Sequence, residues 1–121
     1  MTTSEYSYAT TANVEDFTGI DYSAIHATKF TDVKIEAKIT IAEKMVNSYL
    51  GVDGAQTITD GIEACTIIIA AKILHLNLIE LGFHNKDEHT LELVDMSISA
   101  ILRMFLGTDV GVDAIPMSGA D

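Results

Sequence analysis

The densest group of side chains able to do chemistry is His84-Asn85-Lys86-Asp87-Glu88-His89, with two imidazoles and two carboxylates in six residues. Imidazole nitrogens and carboxylate oxygens are the usual ligands of divalent transition metals. These histidines lack the same-face spacing of metal-binding helices, and polar residues are expected between a glycine stop and a helix start. No Glu-x-x-His pair occurs, so a di-iron bundle site has no sequence support. His75 has the chemistry of a general base, but a lone histidine in an apolar run reads first as a hydrogen-bonded core residue. Cys65 has threonine and apolar neighbours and no nearby cation in sequence, which predicts a small core residue and not a reactive thiolate. Asp109-Val110-Gly111-Val112-Asp113 has carboxylates at the ends of a glycine-containing loop, but the alternating oxygen ligands and bidentate glutamate of a calcium loop are missing. There is no glycine-rich phosphate loop after a strand and no serine elbow. No catalytic residue, cofactor site or metal site is assigned.

Three segments that would position such groups end alike, in Tyr49-Leu50-Gly51, Glu80-Leu81-Gly82 and Phe105-Leu106-Gly107. A glycine just past an apolar run is a helix stop, because the residue there adopts positive φ. The first helix is predicted from about Asp32 to Leu50: Ile35, Ile39, Ala42, Val46 and Tyr49 form one apolar stripe, with Lys34, Glu36, Lys38, Glu43 and Lys44 on the other faces. Thr31 or Asp32 caps its start. The second, from about Thr59 to Leu81, is apolar nearly all round and predicts the most buried element. Its isoleucines at 67 to 69 suit a strand, but the proline-free length and Ala64, Ala70 and Ala71 favour helix. The third is predicted from about Glu88 to Leu106, capped by Asp87, with Leu91, Val94, Ile98, Ile101 or Leu102, and Phe105 facing the core. Leu93, Met96, Ala100 and Met104 fall partly outside that stripe and are the candidate oligomer interface.

The expected fold is therefore all-α: a small bundle of three main helices, a short N-terminal helix near Asn13–Gly19, and extended arms at both ends. All 121 residues form one domain, with an N-terminal arm and short helix over 1–30, a helical core over 31–106 and a C-terminal arm over 107–121. A chain of this length buries about 65% of its unfolded surface, enough for a core without staples. One cysteine permits no intrachain disulfide and no Cys-based zinc finger. The net charge of -11 opposes binding to phosphate backbones and anionic lipid. The N-terminus lacks a signal-peptide pattern, and the uncharged stretch Ala64–Ala71 is too short to span a bilayer, so a soluble chain with no membrane partner is expected. Salt adaptation is a second explanation of the acidity, though six lysines to one arginine and fifteen isoleucines speak weakly for it.

The order of Tyr8-Ala9-Thr10, Val14-Glu15-Asp16-Phe17-Thr18-Gly19, a helix ending Ala42-Glu43-Lys44-Met45-Val46-Asn47-Ser48-Tyr49-Leu50-Gly51, and then a very apolar helix resembles the head-to-tail connector proteins of tailed bacteriophages, also called adaptor or head-completion proteins. The resemblance covers residues 8–106. It departs from the family pattern in having Thr57-Ile58-Thr59 where a proline often precedes the apolar helix, and no arginine before Arg103. It implies a non-enzymatic virion protein, made in the host cytoplasm and placed in the neck. Its copies would form a homo-oligomeric ring of about twelve beneath the portal protein, with DNA passing through. Terminal arms would reach the portal and a tail-side neck or tail-completion protein. Tyr6 and Tyr8 near the start, and Val110, Val112, Ile115 and Met117 near the end, are the expected partner-binding residues, being apolar groups on segments too short to fold alone.

An acidic protein suits a DNA conduit, since it does not adhere to what passes through it. The alternative of another class is a free-standing helical binding or regulatory module with an apolar groove. A third is a metal-dependent enzyme using His84 and His89.

Overall fold

A computed structural model of the chain describes residues 4–82 and 96–107. Among these residues it is all-α, with α1 (Thr11–Thr18), α2 (Tyr22–Ile25), α3 (Asp32–Leu50), α4 (Asp60–Glu80) and α5 (Ile98–Leu106). The starts follow from side-chain oxygens that accept the otherwise unpaired N–H groups of a first helical turn. Thr31 accepts from Lys34 N at 3.3 Å, Thr59 from Ile62 N at 3.2 Å and Ser97 from Ala100 N at 3.1 Å. At α1 the exchange is reciprocal, Thr10 and Asn13 each accepting the other's backbone N–H. Gly51 ends α3 at φ +73° and donates to the carbonyls of Asn47 and Ser48, the left-handed stop expected of that glycine.

α3 and α4 form an antiparallel hairpin through residues 51–59, so the last turn of α4 returns to the first turns of α3. Ile35, Ile39, Ala42 and Val46 of the predicted α3 stripe are all buried, against Ile69, Leu74 and Leu78 among others. Burying such side chains stabilises the fold by about 1.5–3 kcal/mol each. α4 is central: it packs on α3, α5 and α1. It meets α5 closely where Gly61 lies under Phe105, since a Cβ on Gly61 would stand 2.5 Å from the Phe105 carbonyl oxygen. Only a residue without a side chain allows that approach.

α4 is also long and apolar enough to cross a membrane. More than half of its most apolar stretch is buried inside the protein, as the core helix of a bundle is. Its apolarity is nonetheless not fully covered, because Leu76 and Ile79, three residues apart in its last turns, are 51% and 45% exposed.

Three expectations are corrected. The third helix does not run unbroken from Glu88: Ser97 is extended (φ -65°, ψ 154°) and caps a helix that begins at Ile98, its hydroxyl offering the new helix a better N-cap than a helix interior. Asp87 and residues 88–95 lie outside the described residues. The N-terminal segment from Ser4 onward is not a projecting arm but lies on the bundle, with Ser4, Tyr8, Ala9, Val14, Thr18, Tyr22 and Phe30 buried. Glu43, expected on a solvent face of α3, is 0% exposed.

Candidate functional site

Glu43 is buried because residues 4–8 bring donors to it. Ser4 Oγ donates to Oε2 at 2.5 Å, Tyr8 N to Oε2 at 2.9 Å and Tyr6 N to Oε1 at 2.9 Å. Ser7 between the two tyrosines has φ +57°, a left-handed conformation that costs a non-glycine residue about 1 kcal/mol. That turn directs the flanking N–H groups toward one carboxylate, in the manner of a backbone nest around an anion. One turn further along α3, Asn47 Oδ1 accepts from Tyr8 Oη at 2.6 Å, and Tyr8 Oη accepts from Gln56 N at 3.0 Å. Asn47 Nδ2 donates to Gly54 O at 2.6 Å, so this network also fixes the α3–α4 connection. At the rim, Glu5 N donates to Thr40 Oγ1 at 3.0 Å and Glu5 pairs with Lys44 at 3.2 Å.

Tyr8 is thus corrected as a partner-binding residue: it is 1% exposed, with its hydroxyl and its amide both used within the chain. Tyr6 is half-buried against it, the ring centroids 5.5 Å apart. Of the expected oligomer interface, Met96 and Ala100 are half-buried, and Met104 on the outer face of α5 is 54% exposed. Leu93, Val110, Val112, Ile115 and Met117 lie outside the described residues, as do His84, His89 and the Asp109–Asp113 segment.

Cys65 is fully buried in the core, and burial pushes its thiol up to about 12, far from a reactive thiolate. His75 lies half-buried on α4 with Nδ1 enclosed and unpartnered among the described residues. Those residues contain no group of three or more His, Cys, Asp or Glu able to hold a metal ion.

The N-terminal half of α3 presents a different environment. An open cavity of about 300 Å³ lies between it and the last turn of α4. Lys34 and Lys38, one turn apart on α3, and Lys29 from the preceding loop supply its charge, with Phe30 and Ala37 between them and Asn77, Glu80 and Leu81 opposite. The loop that carries Lys29 is held by short contacts. Phe30 N donates to His26 O at 3.0 Å, Lys29 N to His26 Nδ1 at 3.3 Å, and Lys34 Nζ to Thr28 O at 2.9 Å. The ring of Phe30 is buried beside Tyr22, centroids 5.5 Å apart, and burial pushes the Tyr22 hydroxyl up to about 12. Half of the six lysines of a chain with net charge -11 therefore converge on one cavity. The i, i+4 spacing of Lys34 and Lys38 is the only sign of it in the sequence; Lys29 and the α4 wall arrive through the fold.

Among the described residues the chain offers a sealed polar seam, a basic cavity and scattered exposed apolar side chains. No protein-family model, curated protein or solved structure matches this chain.

Proposed function

We propose that this chain is a structural subunit of a phage head-to-tail connector, a ring of copies beneath the portal that seals the head and passes DNA. The observation that carries this reading is that two of the segments resembling the connector family meet in one buried seam and the third is buried in the same bundle. Tyr8 of the opening segment bonds Glu43 and Asn47 of the helix ending in Tyr-Leu-Gly, and Val14 and Thr18 of the Val14–Gly19 segment are buried in the same bundle. Residues far apart in sequence and jointly recruited to one structural unit support a shared fold better than any of them alone.

The role is one of shape, charge and symmetry, without catalysis. The partners are the portal protein on one side and a tail-side neck protein on the other, and the setting is the virion neck after synthesis in the host cytoplasm. Contacts to the portal fall to Val110, Val112, Ile115 and Met117 of the C-terminal segment, and contacts between copies to exposed apolar groups of α5 such as Met104. A net charge of -11 per copy keeps the ring from adhering to DNA.

Deleting residues 108–121 is expected to leave the melting temperature within about 2 °C of the full chain and to abolish co-purification with the portal of the same genome. A truncated chain that still docks normally removes the C-terminal segment from the interface. If the full chain binds no portal but orders around a peptide or small ligand, it is a free-standing helical module.

A further inference from the structure

We infer that the lysine cavity between α3 and α4 is a socket for the acidic C-terminal segment, residues 108–121, of a second copy of this chain. The socket combines the ammonium groups of Lys29, Lys34 and Lys38 with apolar surface. Ala37 and Leu81 line it, and Ile41, one turn beyond Lys38 on the same face of α3, is 42% exposed. Glu80 is the carboxylate at its edge, which leaves the lining net positive. A ligand for this surface must carry several negative charges interspersed with small aliphatic side chains.

Asp109-Val110-Gly111-Val112-Asp113-Ala114-Ile115 has that pattern, and residues 108–121 hold three aspartates and no lysine or arginine. Opposite charges meeting across a contact set partner, register and association rate. They also answer a specific difficulty of self-assembly, since copies of net charge -11 repel each other unless basic and acidic patches are brought together.

The fold favours a neighbour's segment over the chain's own. Tyr49 Oη donates to Gly107 O at 3.0 Å, so the segment starts beside the last turn of α3. Lys34 and Lys38 lie at the other end of that helix, roughly 17–22 Å away at 1.5 Å per residue. Asp109, two residues beyond Gly107, reaches about 7 Å even fully extended, and Asp113, six residues beyond, reaches about 20 Å only as a straight strand, so the two aspartates cannot both serve the chain's own socket. In a head-to-tail ring each copy offers its socket to one neighbour and its acidic segment to the other, a heterologous contact that closes by rotation. The inference deepens the ring reading and rests on it for its biological setting, but its test needs no portal.

The experiment is zero-length carbodiimide coupling of the full chain, mixed as equal parts unlabelled and nitrogen-15-labelled protein, with peptide mapping of the products. The expected result is amide links between Lys29, Lys34 or Lys38 and Asp109 or Asp113 in mixed-isotope pairs, showing that they join two copies. Lys34→Glu with Lys38→Glu is expected to weaken self-association about tenfold or more. A second chain carrying Asp109→Lys and Asp113→Lys is expected to restore it when mixed with the first, which a misfolded variant could not do. Links confined to single-isotope products, links from the aspartates to other lysines only, or self-association indifferent to both reversals would overturn the inference. The portal contacts proposed above for Val110, Val112, Ile115 and Met117 draw on the same segment, so portal binding is read separately, on chains whose charge reversals leave those four residues in place.

Discussion

The two ends of α3 treat charge in opposite ways. Near its C-terminal end Glu43 is completely buried, and donors from Ser4, Tyr6 and Tyr8 are all supplied by the chain itself. Near its N-terminal end Lys34 and Lys38 face an open cavity, where Lys29 adds a third like charge. An internally saturated charge is a structural part, because removing it strands buried partners. Like charges gathered at an opening do not stabilise the fold, and are better explained by something that arrives. Folding therefore depends on the first end, and recognition is assigned to the second.

The largest test of that contrast is Glu43→Ala, which leaves the Tyr6 and Tyr8 amides and the Ser4 hydroxyl without their acceptor. Urea unfolding is expected to show a loss of roughly 3 kcal/mol or more, a large share of the stability of a small domain, with Glu43→Gln losing less because one acceptor survives. Tyr8→Phe, which removes the hydroxyl shared by Asn47 and Gln56, is expected to cost about 1–2 kcal/mol by the same measurement. Ser7→Gly works in the other direction. Glycine adopts φ +57° without the Cβ penalty, and a gain of up to about 1 kcal/mol in the same urea unfolding is expected from relief of the turn over Glu43.

Smaller effects follow. Burial, and behind it the charges of Asp21, Asp32 and Asp16, raises the Glu15 carboxyl above its ordinary value of 4.5, against a backbone hydrogen bond from Tyr22. Its ionised form is thus disfavoured in the folded chain, and the folded state holds the proton longer than the unfolded one. Stability is lost as pH rises from the unfolded value through the raised one. Glu15→Gln is expected to melt slightly higher than the parent at pH 7, with the difference closing below about pH 4, because both forms are then neutral. At the open end, Lys34→Ala with Lys38→Ala is expected to change stability by less than about 0.5 kcal/mol. A large loss from that pair would make the cavity a structural element and dissolve the contrast.

The helical core was legible where periodicity and caps are local. The stripe Ile35–Ile39–Ala42–Val46, the stop at Gly51 and the start at Thr59 are each written in neighbouring residues and each recur in the fold. Ser97 escaped because its helix cap lies inside a continuous apolar pattern, where a serine reads equally well as an exposed helical position. Glu43 and Asn47 escaped for another reason. Their burial depends on partners more than thirty positions away, and a charged residue on an amphipathic helix reads as solvent-facing until those partners are placed. Tyr8 was misplaced by the same gap, since an aromatic near a terminus shows nothing of the carboxylate that holds its backbone. The lysine cavity needed the α3–α4 hairpin to bring Lys29, Lys38 and Asn77 together.

Native mass spectrometry of the chain mixed with the intact portal ring of the same genome is the sharpest test of whether this chain is a ring-forming connector. A ring-forming connector gives a discrete complex with a fixed number of copies, one per portal subunit or in matched symmetry. Intact portal rings carrying no bound chain, under conditions where both components are folded, would contradict it.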